Sequence, residues 1–413
     1  MKAKTIAVIG GAYGEECAYP ARQVFRGSGG RAAAILASLG AQVSLTTALG
    51  DDLLPTFASI AQKLGYSLDA KPRSSDIWFR YRHPLAHPTI YPHSAPTTSY
   101  DLPVVADNVL VFGMIEGRPS VHAKRAVYDP QDGIAATSFG KNGSTADDLA
   151  LVMSFSEGKA LTGETSPEVM ANKLIREQSV SAVIIKCGPQ GALVRTEEAT
   201  NWIRAFPTKR VYKVGSGDVF SAAFAFSWLL EGNDALSSAW YASSAVAAYV
   251  ETAQDRFDAN QQMKFRAQAR HALEALTDTK PRRIPDTQIY LAGPFFNTGQ
   301  QWLIDEARST LTDMGFKVFS PGHEIGIGPA QEVAPADLLA LEQSGLVLAL
   351  LDGFDPGTVF EIGYARARNI PVVAIVEAGD EPSLTMIIGS GCEVANDFAT
   401  GIYAACWHLM GDV

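Results

Sequence analysis

Short apolar runs alternate with segments of helical periodicity along most of the chain. Runs typical of buried strands lie at 4–10, 41–52, 109–115, 126–131, 150–155 and 182–188. Helical patterns lie between most of them and continue at 216–231 and 234–252. Because such alternation is typical of parallel sheets covered by helices, it predicts an α/β fold.

The composition shifts near residue 253. A polar helical segment is followed at 277–288 by a charged, proline-broken stretch that is typical of a linker. A new apolar strand begins at 289. The sequence therefore predicts one domain over 1–276, a linker over 277–288 and a second α/β domain over 289–413.

Residues 346–376 predict a βαβ unit in the second domain. An apolar strand (346–351) precedes a short helix that should carry Glu361 in its first turn, and another strand follows at 371–376. In such sheets ligands bind beyond the carboxyl ends of the strands. Asp355 and Glu361 should converge there, behind Gly357, which allows close approach to the backbone.

Residues 71–100 interrupt the alternation with aromatic residues, histidines and prolines. This mixture predicts an edge sheet or small lid. His83, His87 and His93 could suggest a metal site, but the intervening prolines break any helix that would align them. A solvated or substrate-facing loop is the simpler interpretation.

Bulk composition narrows the class of protein. A chain of 413 residues with 47% apolar content suits two or three globular domains. A net charge of −10 argues against a nucleic-acid polymer as partner. The four scattered cysteines indicate reduced thiols and a cytoplasmic location. Apolar runs of about ten residues are half of what a membrane span needs, so no membrane association is expected.

The first candidate site is the turn Gly215-Ser216-Gly217-Asp218, which opens an apolar helix. Free amides at a helix start favour a phosphate or a developing anion, and an aspartate beside them can accept a proton from a hydroxyl. Together these features suit phosphoryl transfer to an alcohol. Alternatively, Asp218 only interacts favourably with the helix dipole.

The region 4–255 resembles the ribokinase (PfkB carbohydrate kinase) family. The resemblance is carried by 26–40 with ALGDD (48–52), by 154–163, by 184–192 and by 214–226. It implies a three-layer α/β/α domain with a small lid that uses ATP and Mg²⁺. The implied roles are catalytic base for Asp218, anion hole for Gly215, Ser216 and Gly217, water-mediated Mg²⁺ binding for Glu157, ATP binding for Lys186, Gly188 and Gly191, and sugar binding for Glu15, Gly29, Gly30 and Arg31.

Several positions depart from the pattern of that family. Glu15 replaces its sugar-binding aspartate, Arg31 an asparagine, and Ser154 the asparagine of the N-x-x-E element, while Tyr212-Lys213-Val214 replaces its usual lead-in. Arg31 could meet an anionic group of the acceptor, or it could be a surface arginine at a helix start. The departures leave open a kinase-like domain that only binds a nucleotide or nucleoside.

The second candidate site is the pair Asp355 and Glu361. A carboxylate near a helix start stays ionised and can act as a nucleophile, while a second carboxyl group can donate a proton or bind sugar hydroxyls. Such a pair suits chemistry at an anomeric carbon through a covalent intermediate. Alternatively, Asp355 only caps the turn and Glu361 only supports the helix.

Residues 288–376 resemble the nucleoside 2-deoxyribosyltransferase family, which implies a Rossmann-like or flavodoxin-like parallel sheet. The resemblance is carried by 289–296, 320–326, 335–353 and 355–373. It implies that Glu361 is the nucleophile, that Tyr290 orients it and that no cofactor is needed. The implied glycosyl site comprises Tyr290, Gly293, Pro294, Phe295, Asp337, Asp355 and Gly357.

Two parts of this second pattern are less complete. Ser344-Gly345 replaces an acidic residue of the family, and only Glu393 or Asn396 could correspond to a residue supplied by a neighbouring subunit. The resemblance nevertheless implies a homo-oligomer, a dimer or larger, and leaves transferase and hydrolase chemistry both open.

The two resemblances together imply a bifunctional enzyme of nucleoside metabolism. Its second domain would break or exchange an N-glycosidic bond, and its first would phosphorylate a sugar or nucleoside with ATP and Mg²⁺. The alternative is that the kinase-like domain only binds nucleotide or nucleoside and regulates the second domain. In either case the partners are small nucleosides, nucleotides and sugars.

Overall fold

The computed structural model describes residues 4–92, 100–131, 133–274, 282–379 and 381–411. His93 and residues 277–281 of the predicted linker lie outside these ranges. The chain divides into two compact units, one of Met1–Thr208 with Tyr212–Pro281 and one of Lys209–Val211 with Arg282–Val413. The larger unit contains two sheets and the smaller unit one, and the predicted α/β class with two sheet domains is confirmed.

The larger unit contains thirteen strands among its described residues. Their bounds are β1 Thr5–Ile9, β2 Gly14–Cys17, β3 Arg22–Phe25, β4 Gln42–Gly50, β5 Ser67–Arg73, β6 Trp78–Tyr81, β7 Thr89–Tyr91, β8 Tyr100–Phe112, β9 Gly117–Asp129, β10 Thr145–Ser154, β11 Ala182–Lys186, β12 Ala192–Thr196 and β13 Thr200–Ile203. Its helices are α1 Gly27–Ser38, α2 Leu54–Leu64, α3 Phe155–Thr162, α4 Pro167–Gln178, α5 Ser216–Ala225, α6 Ala235–Thr252 and α7 Ala259–Glu274. The helix predicted over 216–231 ends as α5 at Ala225 and continues as a π-helical turn over Phe226–Leu230.

Nine of these strands form one mixed sheet in the order β13-β12-β11-β10-β9-β8-β1-β4-β5. Only the β11–β12 and β12–β13 pairs are antiparallel. Strand β1 lies between β4 and β8 and runs parallel to both, so the strand order reverses between β1 and β8. A crevice for a ligand is expected at that reversal. The apolar core includes Ile9, Val111, Leu151 and Ile185, all of which are buried.

A separate four-stranded sheet has the order β3-β2-β6-β7. Two of its strands, β6 and β7, come from the aromatic region for which an edge sheet or lid was predicted. Tyr13 and Phe79 stack with their ring centroids 4.8 Å apart, and Phe25 meets Trp78 edge-on. The aromatic residues of this region thus pack the small sheet.

The smaller unit has five parallel strands: β14 Gln288–Ala292, β15 Lys317–Phe319, β16 Leu346–Leu350, β17 Val372–Ile375 and β18 Glu393–Ala395. Its helices are α8 Thr298–Asp313, α9 Pro321–Glu324, α10 Ala330–Glu342, α11 Pro356–Ala367, α12 Thr385–Gly389 and α13 Phe398–Met410. The predicted parallel sheet is confirmed, and its strand order β15-β14-β16-β17-β18 is the flavodoxin-like order 2-1-3-4-5. The order reverses between β14 and β16, where a ligand crevice is again expected.

Two observations concern disulfides and membrane spans. None of the four cysteines, all of which lie in the described ranges, forms a disulfide. Across the described ranges, no helix combines the length and the apolarity that crossing a bilayer requires.

Candidate functional sites

The site of the smaller unit forms at the reversal of its strand order. Tyr290 lies on β14 and Glu361 on α11, the helix that follows β16. The Tyr290 hydroxyl donates to Glu361 Oε1 at 2.5 Å, and Tyr290 is fully buried. The structure therefore brings together the predicted nucleophile and the tyrosine that was expected to orient it.

Helix α11 begins at Pro356, so Glu361 lies in its second turn and not in the first. Asp355 is the N-cap: its Oδ2 accepts hydrogen bonds from Thr358 N at 2.9 Å and from Thr358 Oγ1 at 3.1 Å. A proline at the first helical position suits this start, because its missing N–H is not needed there. Asp355 therefore has the capping role that the residues allowed, while its charge still acts on Glu361.

Burial raises the pKa of Glu361 to about 7. The hydrogen bond from Tyr290 opposes this shift, whereas the charges of Asp337 and Asp355 add to it. Burial also raises the pKa of Asp337, and its Oδ1 is buried without a hydrogen-bond partner in the described structure. The three carboxyl groups thus share one site, and Asp337 has an acceptor oxygen available there.

The segment after β14 contains the remaining predicted residues. A Cβ at Gly293 would lie 2.9 Å from Ile304 Cδ1, so glycine permits this turn to pack on α8. Pro294 is buried, and Phe295 stacks on Phe296 with ring centroids 5.3 Å apart. A Cβ at Gly357 would lie 3.0 Å from Asp355 Oδ2, which shows how closely that carboxylate approaches the helix start. Glu393, a candidate for an intersubunit role, pairs with His408 of its own domain.

The site of the larger unit is built around Asp218 in the first turn of α5. Arg31 Nη1 donates to Asp218 Oδ2 at 2.7 Å and to Glu15 Oε1 at 3.1 Å, and its Nη2 donates to Glu15 Oε2. The three side chains, from α1, β2 and α5, are almost completely buried, with Arg31 only 2% exposed. We call Glu15, Arg31 and Asp218 the buried triad. Arg31 is therefore not a surface residue.

Asp218 has a second partner that the sequence pattern did not indicate. Gln131 Nε2 donates to Asp218 Oδ1 at 2.6 Å, so both carboxylate oxygens accept a hydrogen bond. Gln131 follows β9, the strand that ends at Asp129. Polar residues directly after a buried strand were a usable signal, because this sheet edge is where ligands bind.

The predicted anion hole lies against the same arginine. Gly215 has a φ of +79°, which glycine adopts without strain, and a Cβ there would lie 2.2 Å from Arg31 Cζ. Lys213 Nζ donates to Ser216 Oγ at 2.7 Å. Burial, followed by the charge of Lys186, lowers the pKa of Lys213 to about 8. A Cβ on Gly217 would lie 3.5 Å from Lys186 Nζ, so the helix start has two cationic neighbours.

Lys186 and Glu157 adjoin a carboxylate that sequence reasoning missed. Lys186 Nζ donates to Asp129 Oδ2 at 2.8 Å, and Ser221 Oγ donates to the same oxygen at 2.6 Å. Burial raises the pKa of Asp129 to about 7, and its Oδ1 has no hydrogen-bond partner among the described residues. Glu157, whose charge also acts on Asp129, forms a capping box at the start of α3 with Ser154.

The other predicted positions lie at close backbone contacts and in a turn. Gly29 N donates to Gly11 O at 2.9 Å, and a Cβ on Gly29 would lie 2.7 Å from the Gly10 backbone. A Cβ on Gly30 would lie 3.2 Å from the Phe57 ring. Gly188 and Gly191 bound the turn that connects β11 to β12.

Within the described ranges, no cluster of three or more His, Cys, Asp or Glu side chains is arranged to hold a metal ion.

Comparisons with known proteins match both regions of the chain. The family model described as pfkB family carbohydrate kinase matches residues 149–261, and the one described as nucleoside 2-deoxyribosyltransferase matches residues 289–397. A sequence comparison with curated proteins gives no significant match.

Solved structures similar to the larger unit include three bacterial proteins. Ribokinase from Thermotoga maritima has 18% identity and a TM-score of 0.43, over 65% of this chain and 99% of its own. Phosphofructokinase-2 from Escherichia coli, solved with potassium, has 15% identity and a TM-score of 0.49, over 64% and 99%. A PfkB protein from Polaromonas sp. JS666 has 18% identity and a TM-score of 0.45, over 64% and 100%.

The family models confirm both family resemblances. The chain therefore combines a PfkB family carbohydrate kinase domain, matched over residues 149–261, with a C-terminal nucleoside 2-deoxyribosyltransferase domain, matched over residues 289–397.

Proposed function

We propose that the C-terminal domain breaks the N-glycosidic bond of a nucleoside or nucleotide and transfers the sugar to another base or to water. The observation that carries this proposal is the 2.5 Å hydrogen bond from Tyr290 to Glu361. This bond holds the Glu361 carboxylate against β14, and the charges of Asp337 and Asp355 act on the same carboxylate. This arrangement suits a glutamate nucleophile.

In the proposed reaction, a Glu361 oxygen bonds to the anomeric carbon while the carbon–nitrogen bond breaks. The departing base keeps the electron pair and takes up a proton from solvent. A second base or water then attacks the anomeric carbon, the bond from that carbon to Glu361 breaks, and the attacking base or water gives up a proton to solvent. Burial raises the pKa of Glu361 to about 7, and the ionised form of this carboxyl group is the one that attacks. Asp337 Oδ1 can accept a hydrogen bond from the substrate.

The test is to incubate the full chain with a panel of nucleosides and nucleotides, with and without added free bases, and to identify products by mass spectrometry. Glu361→Ala should abolish both base release and base exchange. Asp286→Asn is the control, because this carboxylate pairs with Lys317 at the surface. Persistence of either reaction in Glu361→Ala would exclude Glu361 as the nucleophile.

We further propose that the N-terminal domain phosphorylates a hydroxyl of a related sugar or nucleoside. The acceptor oxygen would bond to the γ-phosphorus of ATP, the bond to the bridging oxygen would break, and Asp218 would take the hydroxyl proton. Lys186, Lys213 and the start of α5 would bind phosphate oxygens. For this reaction the acceptor has to displace Arg31 from Asp218.

The Mg²⁺ that such a reaction uses favours oxygen ligands and keeps several waters. Glu157 and Asp129 Oδ1, which has no hydrogen-bond partner in the described part of the chain, fit that preference. They would hold the ion beside the phosphates, where it would neutralise developing negative charge.

One observation favours a second candidate, a domain that binds nucleotide without turnover. Both oxygens of Asp218 are occupied, and the guanidinium of Arg31 neutralises its charge. Titration calorimetry with ATP, followed by ADP assays over a panel of sugars and nucleosides, separates the two. ADP formation that Asp218→Asn removes supports the kinase, whereas ATP binding without ADP formation on any acceptor supports the binding domain.

A further inference from the structure

A cavity of about 170 Å³ adjoins the buried triad in the N-terminal domain. Its lining includes Arg22, Arg26, Arg31, Arg256, Tyr249 and Asp255. Its volume is comparable to the ~150 Å³ of an engineered cavity that holds benzene, a ligand of six heavy atoms. A phosphate monoester group, with five heavy atoms, therefore fits.

The cavity has a net positive charge, although the guanidinium of Arg31 is already paired with Glu15 and Asp218. It contains four guanidinium groups and one carboxylate, that of Asp255, which pairs with Arg26. Arg22 donates to the neutral carbonyl oxygen of Ala253, and its guanidinium lies 5.2 Å from the centre of the Tyr212 ring. Within the described ranges, neither Arg22 nor Arg256 forms an ion pair with a carboxylate. The lining therefore has positive charge to spare for an anion.

Arg31 connects this cavity to the triad, because it lines the cavity and holds Glu15 and Asp218. An anion in the cavity would compete with Asp218 for the guanidinium of Arg31. Arginine is well suited to this, since its planar donors bind phosphate in a bidentate manner. A ligand with a phosphate group could thereby free the oxygen of Asp218 that Arg31 occupies.

We propose that this cavity binds phosphate, either as free phosphate or as the monoester of a phosphorylated sugar or nucleoside. In the second case it specifies the substrate class of the proposed kinase, and that part of the inference rests on the proposed function. The monoester would place its phosphate among the arginines and its hydroxyl towards Asp218. A neutral sugar would leave Arg31 on Asp218.

The binding test uses titration calorimetry on the full chain, without ATP and at fixed ionic strength. The probes are inorganic phosphate, ribose 5-phosphate and ribose. We expect both phosphate compounds to bind and ribose to bind at least ten-fold more weakly, because hydrogen bonds to charged groups contribute about that factor or more. Tighter binding of ribose 5-phosphate than of inorganic phosphate identifies the monoester as the ligand, and equal affinities identify free phosphate.

Variants locate the site. Arg22→Gln and, at the exposed rim, Arg256→Gln should each weaken phosphate binding by about ten-fold or more. Arg195→Gln is the matched control, because that guanidinium, on β12, bonds to Asn172. Absence of phosphate binding, or equal affinity in Arg22→Gln and Arg195→Gln, would overturn the proposal.

A parallel ADP assay with the same probes distinguishes this inference from the kinase proposal. Phosphate binding without ADP formation upholds the cavity and rejects the kinase. ADP formation that is as fast with ribose as with ribose 5-phosphate supports the kinase and overturns the assignment of a phosphorylated acceptor.

Discussion

The Tyr290→Phe variant tests the electrostatics of the C-terminal site directly. The substitution keeps the ring, which stacks on Phe319 with centroids 5.6 Å apart, and removes only the hydroxyl. That hydroxyl donates to Glu361 at 2.5 Å and lowers a pKa that burial raises to about 7. Without the donor, the ionised carboxylate is less stable and the pKa of Glu361 rises.

The size of the shift follows from the strength of the bond. A hydrogen bond to a charged group contributes about 1.5–3 kcal/mol. One pKa unit corresponds to about 1.4 kcal/mol, so the pKa of Glu361 should rise by about one to two units. Because the nucleophile has to be ionised, activity should increase with pH through this pKa in both proteins, but at higher pH in the variant.

The assay measures the rate of base release against pH from 5 to 9. Tyr403→Phe is the control, because it removes a hydroxyl that is buried in the same domain and has no hydrogen-bond partner among the described residues. We expect the rise in activity to move upward in Tyr290→Phe and to stay in place in Tyr403→Phe. An unchanged profile in Tyr290→Phe, at whatever rate, would refute the argument.

Three further variants probe stability. Burial raises the pKa of Glu361 from the ordinary 4.5 to about 7, so the native state binds this proton more tightly than the unfolded state, and stability falls as pH rises through that interval. Glu361→Gln removes the ionisable group and should therefore stabilise the domain by about 3 kcal/mol at pH 8. Denaturant unfolding should show this gain at pH 8 and no gain below pH 4.5. Arg31→Met leaves the Glu15 and Asp218 carboxylates buried without their cation and should lower the free energy of unfolding by about 3–5 kcal/mol. Adding Glu15→Gln and Asp218→Asn neutralises both carboxylates and should restore most of this loss. An equal loss in this triple variant would contradict the ion-pair argument. Gly215→Ala places a side chain at a positive φ and against the Arg31 guanidinium, so it should lower the free energy of unfolding by more than about 1 kcal/mol. A smaller loss would show that the start of α5 adapts to a side chain at this position.

The C-terminal site could be predicted well from sequence, because local chain order determines most of its geometry. Adjacent parallel strands end at the same edge of a sheet, which places Tyr290 on β14 near the helix after β16. The predicted start of that helix is too late, since Asp355 caps it and Pro356 begins it, so Glu361 lies one turn further along. That Asp337 Oδ1 has no hydrogen-bond partner among the described residues depends on side-chain burial, which no sequence pattern specifies.

The N-terminal site shows where such prediction stops. The GSGD turn and its helix follow from local residues, and the departures at 15 and 31 were visible. The consequence of these departures, a buried ion pair, could not be predicted, because the contact between Arg31 and Asp218 joins residues 187 positions apart in sequence. Gln131 and Asp129 stand at the end of β9, where polar residues suggest a ligand site, but their contacts with Asp218 and Lys186 depend on the register of β9 in the sheet.

The contact between Gly215 and Arg31 has a consequence for how this domain can evolve. Removing the arginine alone leaves two buried carboxylates unpaired, and enlarging residue 215 first meets the guanidinium. Stability is lost whether residue 31 or residue 215 is replaced first, so positions 15, 31 and 215 should change together. Among homologous sequences, a small or uncharged residue at 31 should therefore occur together with a changed residue at 15, and an arginine at 31 only where 215 is glycine.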